Sequence, residues 1–579
     1  MQRRNVVSKT SIPDGSSSRS KTGAVRKTTK RCSMLGWAIL VTGMLVLMAV
    51  VWQAITLVTV TTRRAPQESS SSWMSQHQMM NEGQQKKATE AFPKPWNIRP
   101  KALSSTNTGT MCDKKLLSRS TLDKSLALGT RFLLKHQKEA GNFDYEYDWT
   151  TDENVDDDME VRQAGALWGL SLIFHDMMDT LPPKADIADI MDTVANLHVV
   201  AVHLLRGFEY FVMQNSHILE GDDGVVMRYI TYPGSKTHGL GTVGLVTLAL
   251  VDFLRATENL PDYLEYKLFN PHKRNKLQQY LRELMAFLVT SHTSVGSPNF
   301  AASNRFTMWN KMLSSASWKT WDVQMDPFKV LSEAGPEGEG GFFYPNYDDD
   351  GNSYGHASSY YDGECLLAII KAAKYLDYNF LYPVAVGSAQ ALYHRHVTKA
   401  LKADEDSSET KGFYQWSSMC FYELATVEFF DVQQDVDYYK PDKFGKWLVD
   451  LALWMIDVHE TLGRPKNTGY AYEGIVPAWT YAASSHSTSE QTTKHLQCTI
   501  EEGLSKLITW QVGMGLVENN VEDWDGQRGL GGVQNSRHET GLRIDTTQHQ
   551  MHATILTRRL VYNDEITWPW RTDILIPNQ

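Results

Sequence analysis

Between residues 116 and 579 apolar positions follow two rhythms. Stretches such as Leu122 to Gln137, Lys276 to Val289 and Lys446 to Val458 place apolar residues at i, i+3 and i+4 with charges on the opposite face, which predicts amphipathic helices lying on a surface. Others, such as Arg162 to Leu170, His238 to Val246 and Gly363 to Ala373, are largely apolar and rich in small residues, which suits helices packed closely in an interior. Between the two kinds a glycine leads into an aromatic or β-branched string, read as a short strand. These strings begin at Gly141, Gly224, Gly341, Gly412, Gly469 and Gly532, roughly 55 to 120 residues apart. Six units of outer helix, strand mark and inner helix predict an all-α fold, an (α/α)6 toroid of six helical hairpins with short β-hairpin loops. An open helical solenoid or an ordinary multi-helix domain is the competing expectation.

The N-terminal part is of another kind. The first 34 residues hold nine Lys or Arg against the single Asp14, with many Ser and Thr, so residues 1–33 read as a disordered basic tail. No charged residue occurs from Cys32 to Thr62, and residues 34–60 exceed the ~20 needed to span a bilayer as a helix. A cleaved signal peptide has a shorter apolar region, so an uncleaved transmembrane signal anchor is expected. Basic residues before the span predict a cytosolic N-terminus and a type II, single-pass topology. Residues 61–115 then form a polar stem, and residues 116–579 lie in the lumen of the Golgi or another secretory-pathway membrane, or outside the cell.

The whole chain carries −10 and its first 34 residues +8, which leaves −18 for the rest. Such a balance argues against nucleic acid as a partner. Of the five cysteines, Cys32 adjoins the span; Cys365 and Cys420 fall in inner helices, where buried thiols or a disulfide are both open. The chain contains no Asn-x-Ser/Thr sequence.

In a toroid the starts of the inner helices converge on one mouth, so reading them in order lists the candidate site. The first supplies Glu160 and Arg162 after Asp156-Asp157-Asp158; the second Arg228, Tyr229 and His238; the third Tyr361, Asp362 and Glu364. The fourth supplies Tyr414, Trp416 and Glu423, the fifth Tyr472 and Glu473, and the sixth Arg543, Asp545, Gln548 and His549. Aromatic rings beside carboxylates and arginines suit a sugar, whose flat apolar faces stack while its hydroxyls take charge-assisted hydrogen bonds. Acidic residues at helix starts also serve as caps. Asp349-Asp350-Gly351-Asn352 reads as a turn rather than a calcium loop, and His238 and His549 as hydrogen-bonded histidines rather than metal ligands. Neither a metal nor a cofactor is expected.

With six glycine-aromatic marks and acidic inner-helix starts, residues 116–579 resemble the six-hairpin glycosidase-like superfamily of (α/α)6 toroids. That resemblance implies carbohydrate-active chemistry on an oligosaccharide or polysaccharide without choosing among hydrolases, lyases and epimerases. Type II topology with a luminal toroid also resembles Golgi glucuronyl C5-epimerases, although the stem here is too short for a preceding β-rich domain.

The expected reaction is glycoside hydrolysis by a carboxylate pair, Asp362 or Glu364 opposite Asp545, with Arg162 and Arg543 holding carboxylates ionised and the less paired one acting as acid. The alternative is a lyase or uronate C5-epimerase, with Tyr361, Tyr229 or His549 moving the C5 proton and Arg228 or Arg543 neutralising the uronate. A membrane-tethered toroid that binds glycans without turnover is the third reading. A metal-dependent toroid would have only Cys365, His238 and His549 as ligands.

Overall fold

The structure is a computed structural model that describes residues 115–181, 187–220, 224–258, 271–292, 341–426, 440–515, 528–563 and 567–570. The expected tail, the span at 34–60, Cys32, Cys112 and all but the last residue of the stem lie outside the described residues. Among the described residues no helix is long and apolar enough to cross a membrane.

Among the described residues, long helices alternate as the two rhythms predict. The outer set is α1 (Arg119–Lys135), α3 (Ile187–Phe208), α5 (Pro271–Thr290), α7 (Tyr382–Tyr393), α9 (Pro441–Asp457) and α11 (Glu490–Ile508). The inner set is α2 (Glu160–Asp179), α4 (Leu240–Ala256), α6 (Ser359–Tyr375), α8 (Ser408–Ala425), α10 (Gly469–Ser484) and α12 (Ile544–Leu560). Each inner helix packs on the next, and α12 packs on α2, so the ring closes. Outer helices sit against it, α1 on α12 and α2, α5 on α4 and α6, α9 on α8 and α10.

Inner helices approach closely because small residues leave room. A Cβ on Gly169 of α2 would stand 2.4 Å from Gln548 Cγ of α12, and one on Gly363 of α6 would stand 2.3 Å from Trp416 Cβ of α8. Towards the C-terminal ends of the inner helices, buried ion pairs join neighbours. Lys371 bonds Asp252 at 2.6 Å, Lys374 bonds Glu423 at 2.7 Å, and Arg558 bonds Asp176 at 2.7 Å. Removing one partner of such a pair leaves an uncompensated buried charge.

Backbone pairing reinforces the ring at its other end. Strands β1 (Glu146–Asp148) and β2 (Glu153–Val155) form a sheet with β8 (Gly541–Arg543), Glu146 pairing with Arg543, so the first and last hairpins share one sheet. Strands β3 (Ser216–Glu220) and β4 (Val226–Ile230) form a hairpin, and β5 (His238–Gly239) joins β6 (Asn346–Tyr347) and β7 (Ser353–Tyr354), which links the second and third units. The segment from Asp348 to Asn352 is the turn expected of it: the Asp348 carboxylate accepts from the backbone of Asp350 and Asn352, and Gly351 takes φ +77°.

Two of the six strand marks are helical instead. Gly412 to Trp416 lies inside α8 and Gly469 to Tyr472 opens α10. Their glycines serve close packing rather than a turn: a Cβ on Gly412 would meet the Tyr360 ring at 2.9 Å, and one on Gly469 would meet the Gln550 backbone at 3.2 Å. The marks at Gly141, Gly341 and Gly532 form isolated bridges, Phe143 to Gln137, Phe343 to His292, and both Val533 to Gln511 and Gln534 to Leu542.

Candidate functional site

One contiguous set of polar side chains at the starts of the inner helices draws on all six units, and it divides into two walls. The first is built on α10 and α12. Arg543 ends β8 at the point where its backbone must enter α12, which sets its guanidinium against the first-turn Asp545, Nε to Oδ1 at 3.0 Å. Arg162, two residues into α2, reaches the same carboxylate at 3.4 Å. Burial raises the Asp545 pKa, but the two guanidiniums and the bonds from Arg543 outweigh it and hold the carboxyl below its usual range. One turn on, His549 Nδ1 lies 3.3 Å from Glu473 and 3.1 Å from the amide nitrogen of Gln415 on α8. His552 bonds Glu473 at 2.8 Å. Glu473 is fully buried, yet His549 and His552 beside it more than offset that burial and lower its pKa.

The second wall is built on the starts of α2, α4 and α6. Glu160 accepts the Gly239 N–H at 2.6 Å and the Thr242 hydroxyl at 3.2 Å, so it serves as the side-chain cap that α4 lacks in its own sequence. Burial raises its pKa, and those two bonds offset only part of the rise. Glu364 is 3% exposed, and its Oε2 has no hydrogen-bond partner. Burial pushes its carboxyl up to about 8, and Arg162 is the one charge that opposes this. Tyr361 beside it is pushed up to about 12, first by burial and then by the two glutamates. At neutral pH Glu364 and Tyr361 hold their protons on this wall, while Asp545 and Glu473 carry charge on the other. Beneath both, the Trp168 and Trp416 rings pack tilted at 37° with centroids 5.4 Å apart and His552 meets Trp168 edge-on at 5.2 Å, making a floor. A cavity of about 40 Å³ lies against Trp168 and His552, with room for a few waters.

Several residues expected at the site stand elsewhere. Asp362 is fully buried, its Oδ1 accepting the Phe343 N–H at 2.7 Å and its Oδ2 bonding His396 at 2.7 Å. It pins a strand mark to its inner helix. Gln163 does the same for Phe143 at 2.7 Å and Thr547 for Val533 at 3.1 Å, so a catalytic role for Asp362 gives way to a structural one. Arg228 bonds Glu283 at 2.7 Å and lies over Tyr280, bracing β4 against α5. Tyr229 packs between His217 and Phe287 and donates to the Asp349 carbonyl at 2.7 Å. His238 is buried between the Tyr232 N–H and Asp349, in line with its reading as a hydrogen-bonded histidine. Tyr414 donates to the Ala471 carbonyl at 3.0 Å, and Tyr472 is buried against Gly503 of α11. Trp416 and Gln548 are packed between inner helices, Trp416 in the floor. Cys365 and Cys420 are buried free thiols. Among the described residues no cluster of His, Cys, Asp and Glu could hold a metal ion.

The sequence reading missed Tyr145, Glu146 and Gln415. Arg543 lies over the Tyr145 ring at 5.3 Å, and Glu146 stands opposite Arg543 in the ladder. Ring closure brings Tyr145 and Glu146 to Arg543, and Gln415 reaches His549 from α8; no local spacing announces either contact.

No family model matches the chain, and no curated protein matches it. Two solved structures are similar. One is a family 76 glycoside hydrolase, described as a mannosidase, from Bacteroides thetaiotaomicron, at 12% identity and a TM-score of 0.33, covering 77% of this chain and 100% of that one. The other is a family 76 alpha-mannanase from the same organism, at 12% identity and a TM-score of 0.27, covering 77% and 98%. Likeness this low carries nothing about chemistry, and the ring described above stands on its own contacts.

Proposed function

We propose that residues 116–579 form a carbohydrate-active enzyme, a glycoside hydrolase in which Glu364 is the general acid and Asp545 the ionised partner. The observation that carries this reading is the opposed ionisation of two carboxyls that share Arg162: one is driven to its neutral form by burial, the other is fixed as an anion by two guanidiniums. Environments that push two carboxyls apart in this way assign acid and base. Glu364 would give its proton to the leaving glycosidic oxygen. Asp545 would activate water or attack the anomeric carbon directly, depending on the separation once a sugar lies between them. Arg162 holds one carboxylate ionised and stands ready to stabilise Glu364 once its proton has gone.

Uronate lyase or epimerase chemistry fits less well. Tyr361 holds its proton to about pH 12, and Tyr229 and Arg228 are committed to the β3–β4 hairpin. A toroid that binds without turnover is separated from both by experiment. Glu364→Gln and Asp545→Asn are assayed on a panel of neutral and uronic oligosaccharides, with products followed by NMR. Loss of chain cleavage in both variants, with folding retained, is the expected result. Full cleavage in both variants would discard the proposal, and binding without products from the unaltered chain would favour the third reading.

We also propose that the toroid is held on the luminal side of a secretory-pathway membrane, the Golgi among them, by residues 34–60. The uncharged run from Cys32 to Thr62 behind nine basic residues supports this. Protease protection in sealed microsomes tests it: residues 116–579 should survive digestion until detergent is added.

A further inference from the structure

The wall that carries Glu364 depends on two residues without side chains. Gly239 and Gly241 flank the point where α4 begins, facing the start of α6. A Cβ on Gly241 would stand 2.1 Å from Glu364 Oε2 and 2.5 Å from Tyr361 Cδ1, closer than non-bonded atoms come. A Cβ on Gly239 would stand 2.9 Å from Glu160 Oε1 and 3.1 Å from the Tyr361 hydroxyl. Three residues on Gly244 marks the helix crossing itself, where a Cβ would lie 3.3 Å from the Cys365 backbone nitrogen, a contact set by backbone and not by the acid. Gly241 has no positive φ to explain its identity and is not in a turn, since it lies in the first turn of α4.

We propose that Gly241 is a positioning residue, whose missing side chain is the space that lets Glu364 lie shielded from water against the first turn of α4. The proposal rests on Glu364 being the acid. The groups that face Glu364 are few. Arg162 comes from α2, Tyr361 and Cys365 from its own helix, and the first turn of α4, Leu240 to Val243, offers nothing that titrates. With water excluded and one half-exposed guanidinium nearby, the carboxyl keeps its proton. A methyl group at position 241 forces it outward towards water, where it loses that proton at lower pH. The shelf thus converts an ordinary glutamate into an acid that remains loaded at neutral pH.

A double-mutant cycle between Gly241→Ala and Glu364→Asp tests this, read by the pH profile of kcat/KM and by thermal unfolding of the full chain. Gly241→Ala should lower kcat/KM by roughly tenfold or more and move the basic limb of the profile down by about one pH unit or more. Glu364→Asp alone should also be slower. Together, the shorter acid relieves the clash, so the double variant should be more stable and more active than the cycle's additive expectation. Should Gly241→Ala fail to fold, recovery of folding in the double variant supports the proposal and failure to recover overturns it. A Gly241→Ala enzyme within twofold of the wild type with its basic limb in place also overturns it, as does additivity. Full activity in Glu364→Gln would instead sink the acid assignment, while the unfolding arm of the cycle still reads the contact.

Discussion

The two walls of the site start from the same kind of residue, a carboxyl at the start of an inner helix, and arrive at opposite protonation states. Asp545 and Glu473 are as buried as Glu364, yet they are ionised because each has cationic or imidazole partners within about 3.5 Å, Arg543 and Arg162 for one, His549 and His552 for the other. Glu364 has none so close and keeps its proton. Burial sets the cost of charge, and the partner decides whether that cost is met. In this ring the difference follows from topology: β8 delivers Arg543 to the start of α12, whereas α6 begins against a glycine shelf.

Breaking either wall should give the largest effect. Asp545→Asn and Glu364→Gln should each lower kcat on a cleavable oligosaccharide by about 10³-fold, within the range for acid–base groups, with little change in circular dichroism. Arg162→Gln sharpens the contrast, because it removes the residue the walls share. The acid limb of the activity profile should move up as Asp545 loses one of its two guanidiniums, and kcat/KM should fall by roughly 10 to 100-fold.

Asp362 should behave in the opposite sense to Asp545. Asp362→Asn disturbs the bonds to the Phe343 N–H and His396, so thermal denaturation should show a loss of about 1 to 3 kcal/mol while kcat stays near the wild-type value. A collapse of kcat without loss of stability would return Asp362 to the catalytic pair.

A subtler effect lies in stability against pH. Glu364 titrates near 4.5 when exposed and at about 8 when folded, so the unfolded chain releases this proton first as pH rises. Its presence therefore lowers stability progressively from about pH 4.5 to 8. Glu364→Gln should flatten that decline and be more stable than wild type at pH 8, a gain measurable by denaturant titration. Identical pH dependence in the two proteins would contradict the buried neutral acid.

Much of the ring was legible in the sequence because helix periodicity is local. Leu122 to Gln137 became α1 at Arg119–Lys135, and the small-residue runs after Arg162, His238 and Gly363 became α2, α4 and α6. The marks at Gly412 and Gly469 misled because a glycine beside aromatics has the same composition whether it opens a strand or admits a neighbouring ring, as Gly412 admits Tyr360. What was legible is placement: Glu160, Arg162, Glu364, Glu473, Arg543, Asp545 and His549 stand at or near the starts of inner helices, where the sequence put them. Asp362 could not be told from Asp545 by sequence, since both are acids in the first turn of an inner helix. What separates them is whether a strand N–H or an arginine meets the carboxyl. Tyr145, Glu146 and Gln415 stayed hidden because their neighbours come from the far end of the chain.

The central claim is that one wall holds a proton and the other a charge, and infrared difference spectroscopy of the full chain reads this without any substrate. Wild type minus Glu364→Gln should show a protonated carboxyl band that persists through neutral pH and titrates away near 8, while wild type minus Asp545→Asn shows only a carboxylate down to pH values below the ordinary aspartate range. If both residues instead titrate together near pH 4, the division of the site into two walls is wrong.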